Sequence, residues 1–133
     1  MKFKLIAILF IAGIIASGFT TEKEVYDGIV YQLDVESLTG KPETFSLKIV
    51  STPYGKTESK EIVLNNVQTP FEKTLLDGTH VISIDTYSDK KTIQGTIIGL
   101  VDGKKKTGAS SVNEETKTIT LYAGPDGKCG AAQ

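Results

Sequence analysis

The sequence predicts an all-β protein built as a single antiparallel β-sandwich of seven to eight short strands. From Ile29 onward, apolar residues recur at every second position, which is the spacing of a strand with one buried face. Turn signals follow at intervals of roughly ten residues, and no helical periodicity appears after the apolar amino terminus. Short alternating strands divided by turns are typical of a sandwich.

The first 18 residues have the features of a secretory signal peptide. Lys2 and Lys4 precede an apolar run over 5–16, and small residues follow, so we expect cleavage after Gly18. The alternative is an uncleaved anchor, although a dozen apolar residues fall short of the roughly 20 that span a bilayer. An acylated cysteine is not expected, because Cys129 is the only cysteine. The protein is therefore predicted to be exported, either periplasmic or secreted.

The chain after the predicted cleavage is long enough for one domain with a two-layer core. We assign residues 19–24 to a polar leader, 25–123 to the sandwich and 124–133 to a flexible tail. Without Lys2 and Lys4, 13 lysines face 16 acids, so the formal charge changes from −1 to −3. That balance argues against a nucleic-acid partner, and the absence of arginine removes the usual fork for binding phosphate.

Each predicted strand is bounded by turn residues. Thr52-Pro53-Tyr54-Gly55 and Asn65-Asn66 read as turns around the third strand, and Pro70 places the next segment at a sheet edge because proline cannot donate a ladder hydrogen bond. Asp102-Gly103 is the strongest hairpin signal. The eight predicted strands begin or centre at Ile29, Phe45, Glu58, Pro70, Val81, Thr92, Lys104 and Thr118.

Glycines and the last ten residues carry two further predictions. Gly95 and Gly99 lie inside the strand 92–101, where glycine marks a bend or the close approach of another backbone. Residues 124–133 hold no large apolar side chain and are predicted to stay unstructured. Cys129 would then be an unpaired thiol in that tail, with an intermolecular disulfide as the alternative.

The sequence contains no recognisable catalytic or metal-binding constellation. His80 is the only histidine, and its position at a strand start favours a solvated or locally hydrogen-bonded ring over a catalytic one. Asp85 and Asp89 are spaced to approach a cation, but calcium needs six to eight ligands, so a solvated turn is the preferred interpretation. We therefore expect no enzyme activity, no cofactor and no metal.

Lysines and tyrosines supply the candidate contact groups. Lys104-Lys105-Lys106 form a dense positive cluster, which Lys90, Lys91 and Lys117 could join in the folded chain. Such a run usually guards a sheet edge against association, and contact with an acidic partner or lipid headgroups is the alternative. Tyr54, Tyr87 and Tyr122 either face a ligand or cap the core.

Four segments of the sequence carry a family resemblance: Ile49-Val50-Ser51-Thr52-Pro53-Tyr54-Gly55, Thr69-Pro70-Phe71-Glu72-Lys73-Thr74, Ile82-Ser83-Ile84 and Gly95-Thr96-Ile97-Ile98-Gly99-Leu100-Val101-Asp102-Gly103-Lys104. Taken in order, they resemble the extracytoplasmic domain of the MmpS family, the small membrane proteins that partner MmpL transporters. Phe71 stands where that family usually has tryptophan, and the segment around Asp102 is similar to its glycine, strand and Asp-Gly-Lys hairpin pattern.

The resemblance covers roughly residues 29–122 and implies an immunoglobulin-like β-sandwich that serves an exporter of lipids or siderophores. It carries over no catalytic residue. Two features depart from the family pattern: the amino-terminal segment looks cleavable where the family keeps an anchor, and the family's paired cysteines are absent, since the matching positions are Ile97 and Tyr122.

These observations predict an exported, non-enzymatic binding or accessory domain with a protein partner in the cell envelope, and with membrane contact only if the amino-terminal segment is retained. Edge elements and loop tips carry recognition in sandwiches, so the predicted contact residues are Pro70, Phe71, Asp102, Gly103 and Lys104. One alternative is a carrier that holds a small molecule or lipid in an apolar cavity between the sheets. Another is an enzyme whose carboxylates converge only in the fold.

Overall fold

A computed structural model describes residues 28–88, 90–114 and 116–132. The predicted signal peptide (1–18), the leader (19–24) and Asp89 lie outside the described residues. The described residues contain no helix, and so none that is long and apolar enough to cross a membrane.

Nine strands make up the described part of the chain, and they confirm the predicted all-β antiparallel sandwich. All eight predicted strands are present, and a short ninth follows them. In chain order the strands are β1 (Ile29–Ser37), β2 (Thr44–Pro53), β3 (Lys60–Gln68), β4 (Phe71–Leu76), β5 (Gly78–Thr86), β6 (Ile93–Val101), β7 (Lys104–Val112), β8 (Thr118–Ala123) and β9 (Cys129–Ala131).

The strands form two antiparallel sheets that pack on each other. One sheet has the order β4-β1-β6-β7 and the other has the order β3-β2-β5-β8-β9. β4 is an edge strand, as the proline before it predicts. β3 and β9 are the edge strands of the five-stranded sheet. The side chains along β3 therefore determine whether that edge is polar or apolar.

Alternation along the strands builds the core between the sheets. Tyr31, Leu33 and Val35 point inward from β1 and are completely buried, because neighbouring side chains on a strand face opposite sides of the sheet. Ile82 and Ile84 point inward from β5, as predicted. The remaining members of this buried cluster are Phe45, Leu47, Ile49, Leu75, Ile93, Ile97, Ile119, Leu121 and Ala123.

Every strand runs between two ends of the sandwich, which we name the entry end and the far end. At the entry end the described chain begins at Gly28, whose carbonyl accepts a hydrogen bond from the Asp102 amide (2.8 Å). The β2–β3, β4–β5, β6–β7 and β8–β9 connections lie at this end. The β1–β2, β3–β4, β5–β6 and β7–β8 connections lie at the far end, where the Thr69 amide donates to the Glu43 carbonyl (3.0 Å).

The predicted turn at Asn65-Asn66 is wrong. Both residues lie within the continuous strand β3, at a point where Phe45 pairs with Val67 and Leu47 pairs with Leu64. Two residues of β3 therefore face one residue of β2, which is a β-bulge. Asn66 has the positive φ (57°) that asparagine accepts in turns, and here that conformation makes the bulge.

The predicted unstructured tail is also wrong at β9. Residues Cys129 to Ala131 pair with β8, and the Gly127 amide donates to the buried hydroxyl of Tyr31 (2.9 Å). The strand register of β6 shifts at Gly99, as the bend prediction expected, and a Cβ at Gly99 would collide with the Gly127 carbonyl. The backbone of Gly127 holds the tail in place, because its amide bonds to Tyr31 and its carbonyl lies close against Gly99. These contacts compensate for the lack of large apolar side chains in the tail.

Candidate functional site

The predicted contact residues Pro70 and Phe71 lie at the far end and play different roles. Pro70 is exposed and lines a cleft of about 380 Å³, whereas the Phe71 ring packs edge-on against Phe45 with ring centroids 5.9 Å apart. Phe71 is therefore partly core. The cleft lies between the β1–β2 and β3–β4 connections and is lined by Glu36, Ser37, Gly40, Lys41, Pro42, Thr69 and Pro70.

The walls of this cleft are tied together by Thr69. Its amide donates to the Glu43 carbonyl (3.0 Å), and its hydroxyl accepts from the Glu43 amide (2.9 Å). Thr69 is itself 5% exposed, so this pair of bonds fixes the two loops against each other. Glu36 and Lys41 are the charged groups of the lining, which suits a polar contact better than an apolar ligand.

The predicted contact residues of the hairpin lie at the entry end. Asp102 and Gly103 both have positive φ (51° and 82°), so the Asp-Gly prediction of a tight hairpin is confirmed. The Asp102 carboxylate accepts a hydrogen bond from the Gly28 amide (2.7 Å) and is turned toward the start of β1. Lys104 is exposed.

The two sets of predicted contact residues do not form one site. Phe71 pairs with Val35 on β1, while Ile29 at the other end of β1 pairs with Val101, next to Asp102. Six residues of extended strand separate those positions, which is roughly 20 Å at 3.3 Å per residue. One small partner therefore cannot touch both sets.

His80 has a structural environment. Its Nε2 lies 2.8 Å from the Leu76 carbonyl, which can only accept, so Nε2 carries the proton. Its Nδ1 then accepts from the Ser51 hydroxyl (2.7 Å). The side chain is 5% exposed and packs edge-on against Tyr31, and this burial lowers the pKa of the imidazole. Both ring nitrogens are occupied by bonds that hold β5 in place.

Other groups with potential chemistry are dispersed among the described residues. Asp85 accepts a hydrogen bond from the Thr118 hydroxyl (2.9 Å). Among residues 28–88, 90–114 and 116–132, no group of three or more histidine, cysteine, aspartate or glutamate side chains could hold a metal ion. Cys129 is half-buried on β9, and burial raises the pKa of its thiol against a hydrogen bond to Thr107 that lowers it.

The space between the sheets offers the carrier hypothesis no support. Inward side chains such as Leu33, Ile82 and Ile97 are completely buried against one another. Two clefts among the described residues lie instead on the surface: the one beside Pro70, and one of about 490 Å³ along the β2–β3 connection between Pro53 and Lys60. A ligand in either cleft would contact loops.

Sequence reasoning missed the exposed apolar stretch on the edge strand β3. Ile62, Val63 and Leu64 are 37%, 52% and 36% exposed. The signal is visible in the sequence, because three consecutive apolar residues place apolar side chains on both faces of a strand, whereas the neighbouring strands alternate. We treat the segment Lys60–Leu64, which we call the open edge, as the principal candidate site.

No protein-family model, no curated protein and no solved structure matches this chain. The resemblance to the MmpS family thus stays a prediction.

Proposed function

We propose that the protein is an exported, non-enzymatic accessory domain that binds a protein partner in the cell envelope, in the manner of an MmpS-like partner of a transporter. The open edge carries this proposal. We infer that an extended segment of the partner adds to β3 as a further strand, so that main-chain hydrogen bonds provide affinity and side-chain contacts provide selectivity.

The open edge has unpaired main-chain groups on its outer side. β3 lies at the end of the order β3-β2-β5-β8-β9, and within the described residues it pairs with β2 alone. From Lys60 to Leu64 the pairing with β2 is regular, and the bulge begins after Leu64. Five residues of edge backbone are thus straight enough to pair with another strand.

Side chains on both faces of the open edge favour a protein partner. Ile62 and Leu64 pair with the buried residues Ile49 and Leu47, so they face inward, yet each stays more than one-third exposed. The reason is that β3 packs on β2 and extends past the four-stranded sheet. A partner strand would cover Ile62 and Leu64 on one face and Val63 on the other.

Natural sheet edges are usually protected by proline, an inward-pointing charge or an early bulge. The open edge has Lys60 and Glu61 at its start, where Glu61 forms an ion pair with Lys48 of β2 (3.2 Å), and the bulge at its end. The three apolar residues between them have no such protection. Exposed apolar residues on an edge strand are a predicted site of association, so their presence here supports a binding role.

Site-specific crosslinking tests the proposal. A photoreactive residue at Val63 of the full chain, expressed in cells, should crosslink to one membrane transporter identified by mass spectrometry. The matched control is Val81, which is 38% exposed on the outer face of the same sheet but lies on the central strand β5. Capture of the same transporter from both positions, or capture of none, would contradict strand addition at β3.

A substitution gives the second arm of the test. Val63→Lys adds a charge to the middle of the open edge and should abolish co-purification of the crosslinked transporter, whereas Val81→Lys should leave it unchanged. Circular dichroism of both variants checks that each keeps its strand content. Equal binding by the two lysine variants would overturn the assignment of the partner site to the open edge.

A further inference from the structure

The entry end combines exposed apolar side chains with a lysine hairpin at the place where the described chain begins. We propose that the entry end is a membrane-docking surface that rests on anionic lipid headgroups. This inference does not depend on the open edge, which runs along the side of the sandwich.

Tyr54 and Leu76 are the most exposed large apolar or aromatic residues among those described, at 75% and 66%. They lie close together, because the Tyr54 amide donates to the carbonyl of Asp77 (3.3 Å), the neighbour of Leu76 in the chain. Tyrosine and leucine at loop and strand ends are suited to the boundary between headgroups and acyl chains, where a ring can bury its body and keep its hydroxyl wet.

An apolar row connects this pair to the lysine hairpin. Across the outer face of the four-stranded sheet, Leu76 pairs with Val30, Val30 with Leu100, and Leu100 with Lys105. The row thus runs along the entry end from the exposed Leu76 to the exposed Lys105, with the buried Val30 (4% exposed) and the half-buried Leu100 between them. Lys104 and Lys105 are both exposed, and neither side chain has a hydrogen bond or ion pair among the described residues.

The acids at the entry end form no ion pair with Lys104, Lys105 or Lys106 among the described residues. The Asp102 carboxylate is turned back onto the Gly28 amide (2.7 Å). Asp77 and Asp126 also lie at this end, so the attraction comes from the hairpin lysines rather than from the net charge of the whole end. Each lysine close to an anionic bilayer surface contributes about a fivefold gain in binding.

The course of the chain gives the docking surface its occupant. Gly28 lies at the entry end, and the apolar run 5–16 precedes it by eleven residues, 17–27. Eleven residues extend to at most roughly 40 Å. This argument takes the alternative in which the apolar run is retained as an anchor rather than cleaved after Gly18. The entry end is then the part of the domain tethered nearest to the lipid, so we take a membrane surface as its occupant.

Tryptophan reporters test this orientation, since the chain contains no tryptophan. The full chain carrying Tyr54→Trp is placed in vesicles of equal parts brominated phosphatidylcholine and phosphatidylglycerol. We expect a blue-shifted emission that the bromolipid quenches. Tyr87→Trp is the matched control, because Tyr87 is 60% exposed next to the far end. It should be neither shifted nor quenched.

Charge reversal tests the lysines. In the Tyr54→Trp chain, Lys104→Glu with Lys105→Glu should lower the quenching to the level seen in vesicles without phosphatidylglycerol, and raised salt should do the same. The control pair Lys90→Glu with Lys117→Glu, at the far end, should leave it unchanged. Equal quenching of the two tryptophan reporters, no quenching of either, or quenching that ignores both charge reversal and lipid charge would each overturn the proposal.

Discussion

Replacement of Asn113 by alanine should be among the most damaging single substitutions in this domain. Asn113 follows β7, is completely buried and has its side chain inside the β5–β6 connection. Its Oδ1 accepts from the amides of Thr92 (3.0 Å) and Ile93 (2.9 Å). Its Nδ2 donates to the carbonyls of Ser88 (2.9 Å) and Lys90 (2.7 Å).

The magnitude follows from the four backbone groups that lose a partner. The Ile93 amide belongs to a residue that is 1% exposed, so leaving it unsatisfied costs about 1–3 kcal/mol. The three other groups lie near the surface, and each loses a net hydrogen bond of about 1 kcal/mol while water replaces part of it. We expect a loss of about 4 kcal/mol in the free energy of unfolding, and a Tm lowered by roughly 15 °C or more.

Urea denaturation followed by circular dichroism measures this loss, with Asn65→Ala as the control because Asn65 is exposed on β3. The control should stay within about 0.5 kcal/mol of the parent chain. Asn113→Asp separates bonding from packing, because it keeps the volume and the acceptor but loses both donors. If Asn113→Ala costs less than about 1 kcal/mol, or if Asn113→Asp is neutral, the hydrogen-bond reasoning is refuted.

Two further predictions concern the tail and the histidine. Gly99→Ala should displace the β8–β9 turn, because the new Cβ would collide with the Gly127 carbonyl, and the Cys129 thiol should then react faster with a disulfide reagent. Gly130→Ala, whose Cβ would meet no atom within 4 Å, should react at the parent rate, and equal rates in both variants would contradict the packing. Burial lowers the pKa of His80, so the unfolded chain takes up a proton first and stability should fall as the pH drops below about 6.5. Tm measured from pH 8 to 5.5 should show this fall in the parent chain and lose that component in His80→Gln; the same fall in both would contradict the assignment.

Local pattern was enough to predict most of the strands, because burial of one face imposes a period of two wherever a sheet covers a core. β1 and β5 show this period in the sequence and in their buried side chains. Turn chemistry was equally informative at Asp102-Gly103, where the two required positive φ angles depend on those two residues alone.

The failures came from contacts between distant segments. Whether Asn65-Asn66 makes a turn or a bulge depends on whether β2 continues alongside, and the sequence does not state that pairing. The tail has no large apolar side chains, so a prediction based on apolar burial alone assigned it no structure. Its order rests on the Tyr31 hydroxyl and on the close approach to Gly99, which only the fold brings together.

The candidate site was also predicted only in part from the sequence. The sequence identified loop tips and an edge, but the two sets it selected lie at opposite ends of β1. The open edge required knowledge of strand order, since only the order β3-β2-β5-β8-β9 places β3 at the edge of its sheet.

The two proposed surfaces are geometrically compatible, and this compatibility can itself be tested. Strands run from the entry end to the far end, so an entry end resting on a bilayer would leave β3 rising away from the membrane at the side of the sandwich. An extended segment leaving a membrane-embedded transporter could then pair with β3 without lifting the domain off the lipid. Val63→Lys should consequently leave the quenching of Tyr54→Trp unchanged. If it abolished that quenching, the open edge would itself contribute to the contact with lipid, and the two surfaces would not be separate.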